Sequence, residues 1–518
     1  EDRNVMWEIG QGLLGGFATA LTPLYLYYAL VGAILGTITG VLPGLGPLGA
    51  MAILLSFTLT MDATGAMILF AGIYYGAMYG GSTTSILLNI PGEAASVVTC
   101  IDGFQMAQRG RAGAALAVSA VGSFMAGTIS IVGLMFAALF LADIALRFGP
   151  AEFFAIGICG LVLLVRLTGG SLLQSFIMIL VGMALATVGV DFLSGIERFT
   201  FGSVELSQGI DFLPVAMGIF GIAEVLATVE QTEPPQKVKK VRMRELLPTR
   251  GEWKRSMPAA FRGSILGFFI GLIPGPSPVI ATFVSYVSEK RLSKTPEEFG
   301  TGAIEGVAGP EAANNSAVGG AYVPLFALGI PFTPAMAMVL GVLMIHGLTP
   351  GPNLIKDKPD LFWTVIASMY IGNFMLIVLN LPLINLFVRI LQVPRHILMP
   401  VIVLICIIGV YSVNASQLDL FMLAVFGFVG YFLRRVGFQA APLILAMVIG
   451  PMIETSLRQA LNISGGSLAG VIFHPICLTL FILASLTFVI PLAVKFFKKA
   501  RRGKPEDHGE NRKIGMME

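Results

Sequence analysis

Long uncharged stretches, separated by short polar connections, run along almost the whole chain. Between Glu8 and Asp62, 53 consecutive residues carry no charge. Similar runs separate Asp62 from Glu93 (30 residues), Arg111 from Asp143 (31) and Arg166 from Asp191 (24). The pattern resumes between Arg262 and Glu289 (26), Glu311 and Lys356 (44), Asp360 and Arg389 (28), Arg395 and Asp419 (23), and Arg458 and Lys495 (36). A membrane-crossing helix takes about 20 apolar residues, so these runs hold roughly ten to thirteen helices, some of them incomplete. Alternating segments of about ten residues, the mark of a membrane β-barrel, are absent. The pattern therefore predicts an all-α polytopic membrane protein.

Two segments interrupt it. Glu230 to Pro258 carries eight Lys/Arg against four Glu, and Lys495 to Lys504 carries six basic residues and no acid. The positive-inside rule places both in the cytoplasm. They divide the chain into a first half (1–229), a basic linker (230–258), a second half (259–465), an extra C-terminal helix (466–494) and a basic tail (495–518). The extra helix is required by parity. Repeats of inverted topology each cross the membrane an odd number of times, so a cytoplasmic linker and a cytoplasmic tail need one more crossing.

Composition narrows the class further. Only 12% of the 518 residues are charged, about half the soluble norm of ~25%. The 61 glycines suit closely packed membrane helices. Disorder, a soluble α/β enzyme and a nucleic-acid binder with a basic face are excluded, and the net charge of +3 names no partner. Cys100, Cys159, Cys406 and Cys477 show no paired spacing and read as buried apolar residues. His346, His396, His474 and His508 are isolated, so no metal centre or cofactor is expected. The start, Glu1-Asp2-Arg3, lacks a signal-peptide pattern and a Met, which reads as a processed product inserted by its internal segments.

The two halves resemble each other. Gly40-Val-Leu-Pro43-Gly44-Leu-Gly46-Pro47 recurs 231 positions later as Gly271-Leu-Ile-Pro274-Gly275-Pro-Ser277-Pro278. Gly80-Gly81 and Gly319-Gly320 are each followed by an Ile-Pro, ending at Pro91 and Pro331. Proline and glycine free backbone groups that lipid cannot satisfy, so such breaks belong where protein or a wet cavity surrounds them. The Pro-Gly motifs suit the tips of re-entrant hairpins flanked by half-helices. Beside the double glycines lie Ser82-Thr83-Thr84-Ser85 and Asn89, and Asn314-Asn315-Ser316. Their hydroxyls and amides can hold a carboxylate, with helix ends adding partial positive charge and unwound carbonyls suiting Na⁺.

These motifs closely resemble the large membrane subunit of tripartite tricarboxylate transporters, the TctA family. The likeness is carried by Gly40–Pro47, by Tyr74–Val97 (YYGAMYGGSTTSILLNIPGEAASV) and by Glu305–Pro331 (EGVAGPEAANNSAVGGAYVPLFALGIP), and extends over roughly residues 10 to 490. Phe332-Thr333-Pro334 after the second Ile-Pro, and Ser277, depart from glycines usual in the family. Both departures are expected to crowd or re-polarise the second half-site, so the substrate is not taken from the family's label. The resemblance implies a secondary transporter of the bacterial inner membrane, coupled to a cation gradient, usually Na⁺, and carrying organic di- or tricarboxylates by an elevator-like motion. It also implies a small membrane subunit of about four helices and a periplasmic solute-binding protein as partners; a homo-oligomer is compatible with it, and nucleic acid is not a partner.

The expected substrate site lies between Gly44-Leu45-Gly46, Ser82-Thr83-Thr84, Gly275-Pro276-Ser277 and Asn314-Asn315-Ser316. Na⁺ is expected near Gly46, Asn89, Gly275 and Asn315. None of these segments carries Lys or Arg. Glu311, three residues before Asn314, reads as a cation ligand or as a structural anchor. A channel and a membrane-embedded enzyme are the competing classes. A channel favours a continuous polar path. An enzyme needs a nucleophile with its base or a metal cluster, and no HExxH or G-x-S-x-G elbow with a matching His occurs. An ATP-driven pump is excluded within the chain by the lack of a GxxxxGK[ST] loop.

Overall fold

The computed structural model describes residues 2–42, 46–167, 171–191, 194–230, 247–383 and 395–486. Among them the chain is almost wholly helical, apart from two two-residue strands, Gly189–Val190 and Glu197–Arg198, paired antiparallel. The first half supplies α1 (Asp2–Ala20), α2 (Pro23–Val41), α3 (Gly46–Leu54), α4 (Ala63–Leu88), α5 (Val97–Gln108), α6 (Ala112–Ala145), α7 (Pro150–Leu167), α8 (Leu172–Ala186) and α9 (Phe212–Glu230), the last with a π turn at Met217–Ile222. The second supplies α10 (Arg250–Gly271), α11 (Ser277–Leu292), α12 (Glu305–Leu328), α13 (Pro334–Ile345), α14 (Pro359–Asn380), α15 (Arg395–Asn414), α16 (Gln417–Arg435) and α17 (Ala441–Ile463).

Six of these, α2, α6, α9, α14, α16 and α17, are long and apolar enough to cross a membrane. Shorter apolar helices, among them Gly46–Thr60 and Pro334–Ile345, fall where proline and glycine divide the hydrophobic runs. The polar linker is shorter than its sequence suggests, because a capping box between Thr249 and Glu252 starts α10 at Arg250. Residues 231–246 and the tail 495–518 lie outside the described residues. The expected extra C-terminal helix is interrupted: Leu468–Ile472 is one short helix and Pro475–Leu486 another.

The core is built on α4 and α12. Residues Gly65 to Ile86 of α4 and all of α12 are buried. A helix buried all round must pack backbone against backbone, and small residues allow it. Gly32, Gly36 and Gly40 of α2 face the carbonyls of Leu69, Ile73 and Ala77, where an added Cβ would stand only 2.2–2.5 Å from the oxygens. Gly263, Gly267 and Gly271 of α10 face the carbonyls of Gly309, Ala313 and Ala317 in the same way, at 2.2–2.5 Å.

The correspondence continues through the helix ends. Asn89 (φ 59°) and Gly329 (φ 72°) are the left-handed caps of α4 and α12. The next N–H, of Ile90 or Ile330, points back to the carbonyl of Thr84 or Pro324 at 3.5 and 3.4 Å. Gly80 presses on the Thr37 carbonyl and Gly320 on that of Phe268; the two carbonyls are again 231 residues apart, the two glycines 240. Each half thus contains the same glycine-zipped helix pair, with a left-handed cap and an Ile-Pro after its buried helix.

Candidate functional site

The two Pro-Gly breaks open onto one cavity of about 410 Å³. Gly46, Pro47 and Leu48 line one side; Pro276, Pro278 and Val279 line the other. Glu93, Thr333, Tyr74 and Arg434 contribute to the remainder. Gly46 (φ 55°), at the start of α3, and Gly275 (φ 125°), in the second turn, both adopt the positive φ that favours glycine. The Gly275 N–H donates to the Phe332 carbonyl at 2.8 Å, tying the second turn to the start of α13.

Several helices begin at this cavity. α3 starts at Gly46 and α11 at Ser277, each with proline in its first positions. α13 starts at Pro334, where the Thr333 hydroxyl accepts the Met336 N–H at 3.2 Å. A 3-10 turn, Ala94–Ser96, leads into α5, and the Glu93 carboxylate accepts the Ala95 N–H at 2.6 Å. The first residues of α3, α11 and α13 and of the turn leading into α5 therefore line one cavity, which places the positive ends of these helix dipoles beside it. Arg434, from the last turn of α16, is ion-paired with Glu224 of α9 and also lines the cavity.

A second polar cluster lies in the buried helices beneath. The Glu311 carboxylate, on α12, accepts hydrogen bonds from the Ser82 and Thr99 hydroxyls, and the Ser119 hydroxyl also reaches it. Asn315 donates from Nδ2 to the Ser123 hydroxyl at 2.7 Å and to the Glu311 backbone carbonyl at 3.2 Å. Asn314 donates to Glu93 Oε1 at 3.2 Å and so joins this cluster to the cavity.

The residues singled out in the sequence divide between the two places. Gly46 and Pro276 line the cavity, and Gly275 shapes its turn. Ser277 is buried, its hydroxyl without a partner. Ser82, Asn314 and Asn315 belong to the Glu311 cluster. Thr83 is buried on α4, the Thr84 hydroxyl donates to the Gly81 carbonyl at 3.2 Å, and Ser316 donates to the Ser264 carbonyl across α10 and α12. Asn89 is exposed at the α4 cap. Gly44 and Leu45 lie outside the described residues.

Phe332 does not crowd the cavity as its bulk suggests. Its ring turns toward Gly160, with Leu445 and Ile449 around the same small void. The expectation of an isolated His474 is corrected too, because its Nδ1 lies 2.8 Å from Glu152 Oε1, with Cys477 beside them. His346 caps α13, its Nε2 3.1 Å from the carbonyls of Thr58 and Met61. The sequence marks Glu93 only as one of several acids beside apolar runs and gives no role to Thr99, Ser119 or Arg434. For Glu93 the signal was an acid in an apolar run; for Arg434, at the end of an amphipathic helix, there was none.

Comparison with known proteins agrees with this architecture. Residues 26–445 match the model of the tripartite tricarboxylate transporter TctA family. The chain is 47% identical over 487 residues, 94% of its length and 97% of the relative's, to an "uncharacterized 52.8 kDa protein in TAR-I ttuC' 3'region" of Agrobacterium vitis. A second protein of Agrobacterium vitis, from the "TAR-II ttuC' 3'region", is 47% identical over 226 residues, 44% of this chain and 93% of that one. No solved structure matches. With the motifs, the all-helical fold and the match along most of the chain in agreement, the protein belongs to the tripartite tricarboxylate transporter TctA family and is a multi-pass membrane subunit of a transporter.

Proposed function

We propose that the chain carries an organic di- or tricarboxylate across the bacterial inner membrane in symport with Na⁺. The observation that carries this reading is the convergence of four helix starts and Arg434 on one cavity. An anion in a low-dielectric interior needs such donors, because an unpaired buried charge is prohibitively costly. A volume of about 410 Å³ falls within the range of small-molecule sites. The paired glycine-zipped elements, one from each half, fit two repeats of inverted topology and support an elevator-like alternating access. A periplasmic solute-binding protein delivers the substrate, and a small membrane subunit of about four helices completes the assembly.

The test is uptake of labelled di- and tricarboxylates by proteoliposomes holding the chain with its small membrane subunit, supplied with the binding protein. Uptake is expected to saturate and to stop when the Na⁺ gradient is collapsed. Arg434→Gln is expected to weaken apparent substrate affinity about tenfold or more, the cost of one hydrogen bond to a charged group. Non-saturating flux would identify a channel, and uptake indifferent to Na⁺ would remove the coupling ion.

A further inference from the structure

We propose that Glu311 is the anionic ligand of a Na⁺ site, and that Asn314 and Glu93 pass the state of that site to the substrate cavity. The inference rests on the Na⁺-coupled reading above and deepens it with named ligands.

Glu311 is fully buried in the second turn of a fully buried helix. Among the described residues no Lys, Arg or His pairs with Glu311 or with Glu93. Asn314 bonds the Glu93 side chain from the helical turn that carries Glu311, so the two carboxylates share one low-dielectric region. Ionised together they would repel, and no cationic side chain among the described residues pairs with either.

The ligand set comes next. Ser82, Thr99 and Ser119 donate hydroxyl hydrogen bonds to the Glu311 carboxylate from α4, α5 and α6, which also sets three hydroxyl oxygens around it. The side-chain oxygens Oδ1 of Asn314 and Asn315, both residues fully buried, have no hydrogen-bond partner. Each amide is held by its Nδ2, on Glu93 and on Ser123, which leaves the oxygen free. Unpartnered buried acceptors call for a donor or a cation. The available donors are all oxygen atoms, one of them anionic, which is the ligand chemistry of a hard cation. One carboxylate with neutral oxygens matches a single positive charge.

The connection to the cavity follows. Glu93 lines it, where its negative charge opposes an incoming carboxylate. A cation at Glu311 offsets that charge and draws on the amide of Asn314, the group that also holds Glu93. Na⁺ therefore binds first, and the anion binds to the neutralised site.

The full chain purified in detergent tests this directly. Thermal stability and titration calorimetry are followed as NaCl replaces choline chloride at constant ionic strength, with KCl and lowered pH as parallel arms. Na⁺ is expected to stabilise the wild type saturably and K⁺ to do so far less. Glu311→Gln is expected to weaken Na⁺ binding about ten- to a hundred-fold, and Thr99→Val to weaken it in the same direction. Should Glu311→Gln fail to give monodisperse protein, Thr99→Val and Ser82→Ala carry the measurement. Wild-type Na⁺ affinity in these variants would overturn the proposal, as would stabilisation produced by lowered pH and not by Na⁺. If Na⁺-driven uptake survives without Na⁺ binding at Glu311, the site falls and the symport reading stands. If Na⁺ binds at Glu311 while wild-type uptake ignores Na⁺, the symport reading falls and the site stands.

Discussion

Asp102 accepts the backbone N–H groups of Gly300, Gly302 and Ala303 at 2.8, 2.7 and 2.9 Å, and the Tyr286 hydroxyl at 2.8 Å. Its place in a short polar stretch suggests a surface connection, yet the residue is fully buried within α5. One carboxylate therefore holds the loop between α11 and α12, directly ahead of the helix that carries Glu311. Removing it strands three N–H groups, each costing about 1–3 kcal/mol when left unsatisfied. Asp102→Ala is expected to lower the midpoint of thermal unfolding in detergent by several degrees or to abolish recovery of folded protein. Asp102→Asn keeps an acceptor oxygen and is expected to fall between the two. Equal midpoints for Asp102→Ala and wild type would show that the loop is held by other contacts.

At the scale of elements, the glycine-zipped pairs α2–α4 and α10–α12 are the features that make the two halves alike. A Cβ at Gly36 would stand 2.4 Å from the Ile73 carbonyl oxygen, and one at Gly267 2.3 Å from that of Ala313. Backbone atoms cannot retreat as side-chain ends do, so the helices must part. Gly36→Val and Gly267→Val are each expected to destroy the monodisperse peak in size-exclusion chromatography. By contrast, Gly15 has open space around its Cβ position. Gly15→Ala is expected to be neutral or stabilising, since alanine is the better helix former by about 1 kcal/mol. If Gly267→Val behaves as Gly15→Ala does, close packing is not what joins α10 to α12.

For the whole molecule, ion pairs identify which connections share a face. Arg111 binds Glu252 in two places, linking the start of α6 to the start of α10. Arg255 reaches Glu305 and Glu298, bringing in the loop before α12. The basic residues Arg109, Lys254 and Lys294 belong to these same segments. The positive-inside rule assigns this face to the cytoplasm. In a background with the four native cysteines replaced, Lys254→Cys and Lys294→Cys are expected to resist a membrane-impermeant maleimide in intact cells. They are expected to react after permeabilisation. Labelling of either from outside would invert the orientation.

Membrane residence, helical class and the two repeated breaks could be read from the chain because each depends on local chemistry. Apolar runs must be helices in lipid, and closely spaced prolines and glycines favour a break, although Pro310, Pro324 and Pro451 stand inside helices. The pairing of Gly40–Pro47 with Gly271–Pro278 was visible as a pattern. The zipper beneath it was not, because Gly32, Gly36 and Gly40 acquire meaning only against Leu69, Ile73 and Ala77. The polar residues of Ser82–Ser85 and Asn314–Ser316 looked like one site. The fold gives Ser82 and Asn315 to the Glu311 cluster and Ser316 to the Ser264 carbonyl, because neighbours on a helix point in different directions around its axis. Arg434 lies far from both motifs in sequence, and its chemistry is ordinary until α16 brings it to the cavity rim. Sequence alone determined what each segment is. Which side chains meet, and hence where charge must be balanced, was decided by the packing of helices distant along the chain.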